Sequence, residues 1–159
     1  MSTNANQTFK IQINFLDNKT KIIRNGLLFI NVDDEDQWVL ADSNAIMAYE
    51  NTVIKIKDLD EEKEFYLFLI NTNIIINQKN ININTFNKME IFKQNNKTVD
   101  NKNKIREVLN NISYFNSLQK IGLNLDQFMQ LKLLNQELYL LKIQQNLKLA
   151  KEIKYENKK

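Results

Sequence analysis

The apolar residues of this chain change their spacing once, near residue 95, and that switch limits the possible folds more than any other feature. Before it they alternate at period two, as in strands with one buried face. After it they recur every three and four residues, as in amphipathic helices. Ile11, Ile13 and Phe15 line one face of a first strand. Residues 21–32 read as a second extended run, with Asn25-Gly26 as a turn or as a bulge where a long strand bends. Residues 33–36 form a polar, acidic loop. Residues 37–42 read as a strand, Ser43-Asn44 as a tight turn and residues 45–50 as the partner strand. Residues 52–57 continue the sheet, 58–64 make a second acidic loop, 65–76 a long β-branched and aromatic strand, and 80–92 close the series. Several short strands at regular spacing predict a sandwich or a barrel over residues 1–95.

Residues 96–159 read as a helical segment. Ile105, Val108, Leu109, Ile112, Phe115 and Leu118 mark a first helix, and Gly122 stands just past it, where a left-handed C-terminal residue is wanted. Asn124 is placed to cap a second helix, with Gln127 as its capping-box partner. From Leu125 to about Tyr155 there is no Gly and no Pro, and Leu, Lys, Gln and Glu dominate. The expectation is a helical hairpin whose last helix runs about 30 residues, or about 45 Å. That helix carries two apolar stripes, Leu131, Leu134, Leu138 and Leu141 on one and Leu133, Leu140, Ile143, Leu147 and Ala150 on the other. A helix lying on its own domain needs one apolar face, and two faces imply two neighbours. The second stripe is therefore the expected partner interface, against the plainer alternative of an intramolecular helical pair with a generous core.

Composition narrows the chemistry. The chain has no Cys and no His, so it lacks a thiol nucleophile, thiolate metal ligands, the commonest general base and the commonest transition-metal ligand. Its two glycines, Gly26 and Gly122, do not make a phosphate-cradling loop. Carboxylate chemistry, alone or with a hard cation, is what survives. The acidic runs 33–36 and 58–62 lack the glycine turn and distal Glu of a calcium loop and read as solvated loops. We therefore expect no enzyme activity, no cofactor and no metal. No apolar run is long enough to span a membrane, and the polar first residues do not look like a signal peptide. The 26 Asn, 20 Lys and 20 Ile share A/T-rich codons, so the bias points to the genome more than to the task.

Charge divides at the same boundary. Residues 1–95 hold 10 basic and 13 acidic side chains, net −3, and residues 96–159 hold 12 and 6, net +6, which sum to the chain's +3. Trp38 and Tyr49 are the candidate nucleic-acid residues, as bases stack on aromatic rings. Core packing is their plainer role, and the acidic run beside Trp38 opposes a phosphate backbone. Single-stranded DNA binding is expected to be weak or indirect.

Residues 21–92 resemble an OB-fold of the replication-protein-A type. The resemblance rests on 37–42, Ser43-Asn44 and 45–50 as its second and third strands, with 65–70, 80–83 and 89–92 as its fourth and fifth. One such barrel with C-terminal helices is similar to the smallest subunits of replication protein A and of CST-type complexes. The Asn-, Lys- and Ile-rich composition is similar to that of ciliate proteins, hence to the CST-like small subunit of ciliate telomerase. The resemblance implies a mainly β fold, a five-stranded Greek-key barrel followed by helices, and a non-catalytic role in telomere maintenance. It implies pairing with a larger OB-fold subunit, in a heterodimer or heterotrimer attached to telomerase in the nucleus. The alternative is an independent single-strand-binding protein.

Overall fold

In a computed structural model, which describes residues 7–152, the chain divides into two compact units. Residues 7–94 with 150–152 make the first and residues 95–149 the second. The first unit is a β-barrel. Strand β1 (Phe9–Asn14) pairs antiparallel with β2 (Thr20–Asn31), β2 with β4 (Ala45–Asp58), β4 with β5 (Lys63–Asn77) and β5 with β6 (Asn80–Asn84). The first and last members, β1 and β6, then pair in parallel and close a ring of five strands. Closure leaves the ring without an exposed edge. Short strands lie beside it: β3 (Trp38–Leu40) on β2, β7 (Phe92–Gln94) on β5, and β8 (Leu149–Lys151) next to β7.

A closed five-stranded barrel is compatible with an OB-like scaffold, but the order of its strands differs from the Greek key that the resemblance implies. With β3 set aside, each ring strand is hydrogen-bonded to the ring strands before and after it in sequence. The reason is local: the acidic turn at residues 59–62 is four residues long, and so short a link joins only adjacent antiparallel strands. Asp58 builds that turn by accepting hydrogen bonds from the N–H groups of Asp60 (3.1 Å) and Glu61 (3.3 Å). The expected pairing of 37–42 with 45–50 is also corrected. The loop 33–36 folds β3 back onto β2, with Asp33 and Asp34 in left-handed conformation, and residues 45–49 pair with β5.

The core follows from the alternation. Ile11, Ile13, Ile54, Ile56, Ile74, Ile81 and Ile83 point inward and are fully buried, together with Leu28 and Leu69. Register shifts by one residue between Phe9 and Ile11, so β2 bulges beside Gly26 as its sequence suggested. A methyl at Gly26 would come within 2.9 Å of both Ile11 Cδ1 and Ile23 Cγ2, so the bulge uses the one residue without a side chain. In β5 the continuous run 65–69 is buried on both faces, and the remainder, 71–77, returns to strict alternation. Asn71, with φ 45°, bends the strand at that change, and a buried Thr72–Thr85 hydrogen bond of 2.8 Å sits beside the bend.

The second unit holds α1 (Lys102–Gln119) and α2 (Leu125–Leu147). Gly122, φ +114°, follows α1 as expected, its N–H donating to Leu118 O (3.1 Å). The capping box at Asn124 and Gln127 is complete, with reciprocal bonds of 2.9 and 3.1 Å. Asn101, buried at the start of α1, spends its side chain on α2: Nδ2 donates to Leu141 O (3.0 Å), and its backbone N–H donates to Gln145 Oε1 (3.1 Å). The start of α1 therefore lies beside the last turns of α2. The expected 30-residue helix is corrected to 23 residues, about 35 Å. Lys148 ends it in left-handed conformation, φ 55°, and the chain goes on as a strand.

Candidate interaction surface

Burial changes along α2 and identifies the surface. At 100° per residue, Leu125, Phe128, Met129, Leu140, Ile143 and Leu147 share one broad face, with Leu133 at its margin. Leu147 and Ile143 are 1% exposed and Leu140 is half-buried, whereas Leu133 is 60% and Leu125 74% exposed. The opposite stripe behaves differently. Leu131, Leu134 and Leu138 are half-buried and Leu141 is buried, so this side faces α1.

From residue 109 to residue 140 no side chain is buried, although the segment holds Ile112, Phe115, Leu118, Phe128, Met129 and six leucines of α2. Ile121, at the turn between the helices, is 87% exposed. Charge is equally sparse. Between residues 109 and 140 only Lys120, Asp126, Lys132 and Glu137 are charged, although charged residues make up 26% of the chain. Asn111, Phe115, Gln130, Leu133, Leu134 and Glu137 line a shallow groove of about 340 Å³ between the two helices. The turn end of the helical unit, distal to the Asn101 bridge between its helices, is thus apolar, nearly neutral and open to solvent, an unusual state for a surface with no partner.

Of the five residues expected at a partner interface, the structure leaves Leu133 exposed and Leu140 partly so. Ile143 and Leu147 are buried, and Ala150 lies in β8 instead of on a helix. The exposed residues that sequence reasoning missed are Ile121, Leu125, Phe128 and Met129. The signal was present: Leu125 and Met129 continue the Leu140–Ile143–Leu147 face toward the N-terminus at helical spacing. Lys132 and Gln136 interrupt that face and hid it.

Trp38 and Tyr49 do not form one platform. Trp38 lies outside the core, its Nε1 donating to Asp36 Oδ1 (2.9 Å), with Tyr66 at 5.5 Å between ring centroids and Lys55 Nζ 5.0 Å from its ring. Tyr49 packs against the barrel core, with its hydroxyl 3.6 Å from Met47 Sδ. Residues 33–36 are exposed. Among the described residues no group of three or more acidic side chains is placed to hold a metal ion.

Next to Trp38, Tyr66 is 3% exposed and donates to Glu64 Oε1 (3.1 Å), with Gln94 Oε1 at 3.2 Å. Burial raises its phenol pKa above the usual value, and the Glu64 charge, the hydrogen bond to Glu64 and the Asp36 charge raise it further. In the unfolded chain this phenol ionises at about pH 10, and in the folded chain only above that. The native state then holds the proton longer, so Tyr66 contributes stability below about pH 10 that is lost as pH rises beyond it. Denaturant midpoints between pH 8 and pH 11 should fall more steeply for the native sequence than for Tyr66→Phe; equal slopes would contradict the assignment.

Comparison with known proteins matches both units. A family described as the UU051 N-terminal domain matches residues 10–90, and one described as the C-terminal domain of uncharacterised protein UU051 matches residues 102–152. The gap between the two matches falls where the chain passes from barrel to helices. A curated relative, uncharacterized protein UU051 of Ureaplasma parvum serovar 3, is 37% identical over 151 residues, which cover 91% of this chain and 89% of the relative.

Proposed function

The chain belongs to the UU051 family along both of its units, and from that premise we propose that it is a non-catalytic interaction protein. In this reading the barrel is a scaffold and the distal part of the helical unit docks another protein. The observation that carries it is the run of residues 109–140, rich in large apolar side chains and without one that is buried. Apolar area removed from water is worth about 25 cal/mol per Å², so leaving this face exposed forgoes several kcal/mol that a partner would recover.

The resemblance implied a larger OB-fold subunit as that partner, in a telomerase-associated complex. The matched relative is bacterial, and a bacterial cell has no nucleus. We therefore propose the docking role without the nuclear and telomeric setting. Co-purification tests it. The tagged full chain should retain a stoichiometric protein companion or a second copy of itself, and the variant Leu125→Asp/Leu133→Asp should lose it while keeping the same circular dichroism. Retention by the variant would contradict the reading.

Single-strand binding has less to support it, because Trp38 lies against Tyr66 and Lys55 while Tyr49 packs against the barrel core. The expected affinity of the full chain for a labelled single-stranded oligonucleotide is no tighter than about tens of micromolar at about 150 mM salt. Fluorescence anisotropy measures it. Sub-micromolar binding that weakens on Trp38→Ala would restore the nucleic-acid alternative.

A further inference from the structure

Resting on that docking role, we infer that the occupant of the distal helical face is a second copy of this chain, held by a twofold contact between the exposed faces of two α2 helices. A twofold contact sets a patch against itself, so any excess of one charge sign opposes its own kind. This patch avoids that penalty. Its charges between residues 109 and 140 are Lys120, Asp126, Lys132 and Glu137, two of each sign, and Lys132 Nζ rests 5.9 Å from the Phe128 ring centroid of its own helix. A strongly acidic or basic partner would find almost nothing to pair with. Several polar residues beside the apolar ones are amides: Asn111 and Gln130 line the groove with Leu133, and Gln136 shares the α2 face by helical spacing. An amide side chain both donates and accepts, so amide meets amide across a twofold axis without leaving a group unpaired.

The area is of the right order. Ile121, Leu125, Phe128, Met129 and Leu133 are 87%, 74%, 49%, 51% and 60% exposed. Taking roughly 200 Å² for a large apolar or aromatic side chain, they offer roughly 650 Å². A standard interface takes about 800 Å² from each partner. The half-buried neighbours on the same helices supply the remainder. The result is a modest, apolar dimer contact that forms at micromolar or higher concentration.

Size-exclusion chromatography with light scattering, on the full chain at about 5 and about 200 μM, tests this. The expected mass rises toward twice the chain mass at the higher concentration. Leu125→Asp/Leu133→Asp should stay at one chain mass at both, with unchanged circular dichroism; both positions are exposed, so the replacements remove no buried contact. Should that double variant misfold, Leu133→Gln alone should still shift the transition to at least tenfold higher concentration. A native chain that remains at one mass at 200 μM overturns the second copy, and so does a folded variant that associates as the native chain does. The two ideas are separable in the co-purification experiment. A different protein captured by the native chain and lost by the variant removes the second copy but leaves the docking role, whereas loss of neither removes both.

Discussion

Leu147→Ala should lower the unfolding free energy by about 2–5 kcal/mol, while Leu133→Ala, fourteen positions earlier, should change it by no more than about 0.5 kcal/mol. Both are leucines of one helix, and both belong to the stripe that the sequence offered as an interface. Propensity treats them alike, so the difference must come from surroundings. Leu147 is 1% exposed, and cutting it back loses both its transfer free energy and the packing of the cavity it leaves. Leu133 is 60% exposed and fills no closed site. Urea titrations followed by circular dichroism at low protein concentration measure the pair. Equal losses would mean that the distal face is part of the fold's own core.

Phe9→Ala should cost about 3–5 kcal/mol, a large share of the roughly 5–15 kcal/mol that holds a domain together. Phe9 is 1% exposed and stands in register with Gly26, where β2 carries its extra residue. The first strand is also the piece that closes the ring, pairing antiparallel with β2 and parallel with β6. Removing the ring of Phe9 empties the site beside the bulge, and the neighbouring Ile11 and Ile23 are already committed to the contact with Gly26. A shift in the urea midpoint at unchanged slope is expected. A loss under about 1 kcal/mol would show that the bulge is not packed as described.

Much of this was legible in the sequence, and the exceptions have local causes. The change of period at residue 95, the bulge at Asn25-Gly26, the turn at Gly122 and the Asn124–Gln127 box depend on residues within a few positions of one another, and all four appear in the structure. Strand order does not depend on neighbours in that way. The alternation in 37–42 and 45–50 fits pairing with each other as well as pairing with β2 and β5, and only the left-handed Asp33 and Asp34 in the preceding loop decide between them. The end of α2 was hidden because Lys148 adopts left-handed conformation, a role for which glycine is the usual sign. The interface residues were half legible. Spacing places Leu133, Leu140, Ile143 and Leu147 on one stripe, but it cannot say which stretch of a helix is covered, so it marks the buried Ile143 and Leu147 as interface and does not single out the exposed Leu125 and Met129.

In the proposed role, a protein occupies the distal helical face when the chain is at work. A photoreactive residue placed at Leu133, with a matched probe at the exposed Glu50 on the barrel, tests it in living cells. Irradiation should give one discrete, heavier covalent product from the Leu133 probe and none from the Glu50 probe. No product at Leu133, or the same smear from both positions, would contradict it.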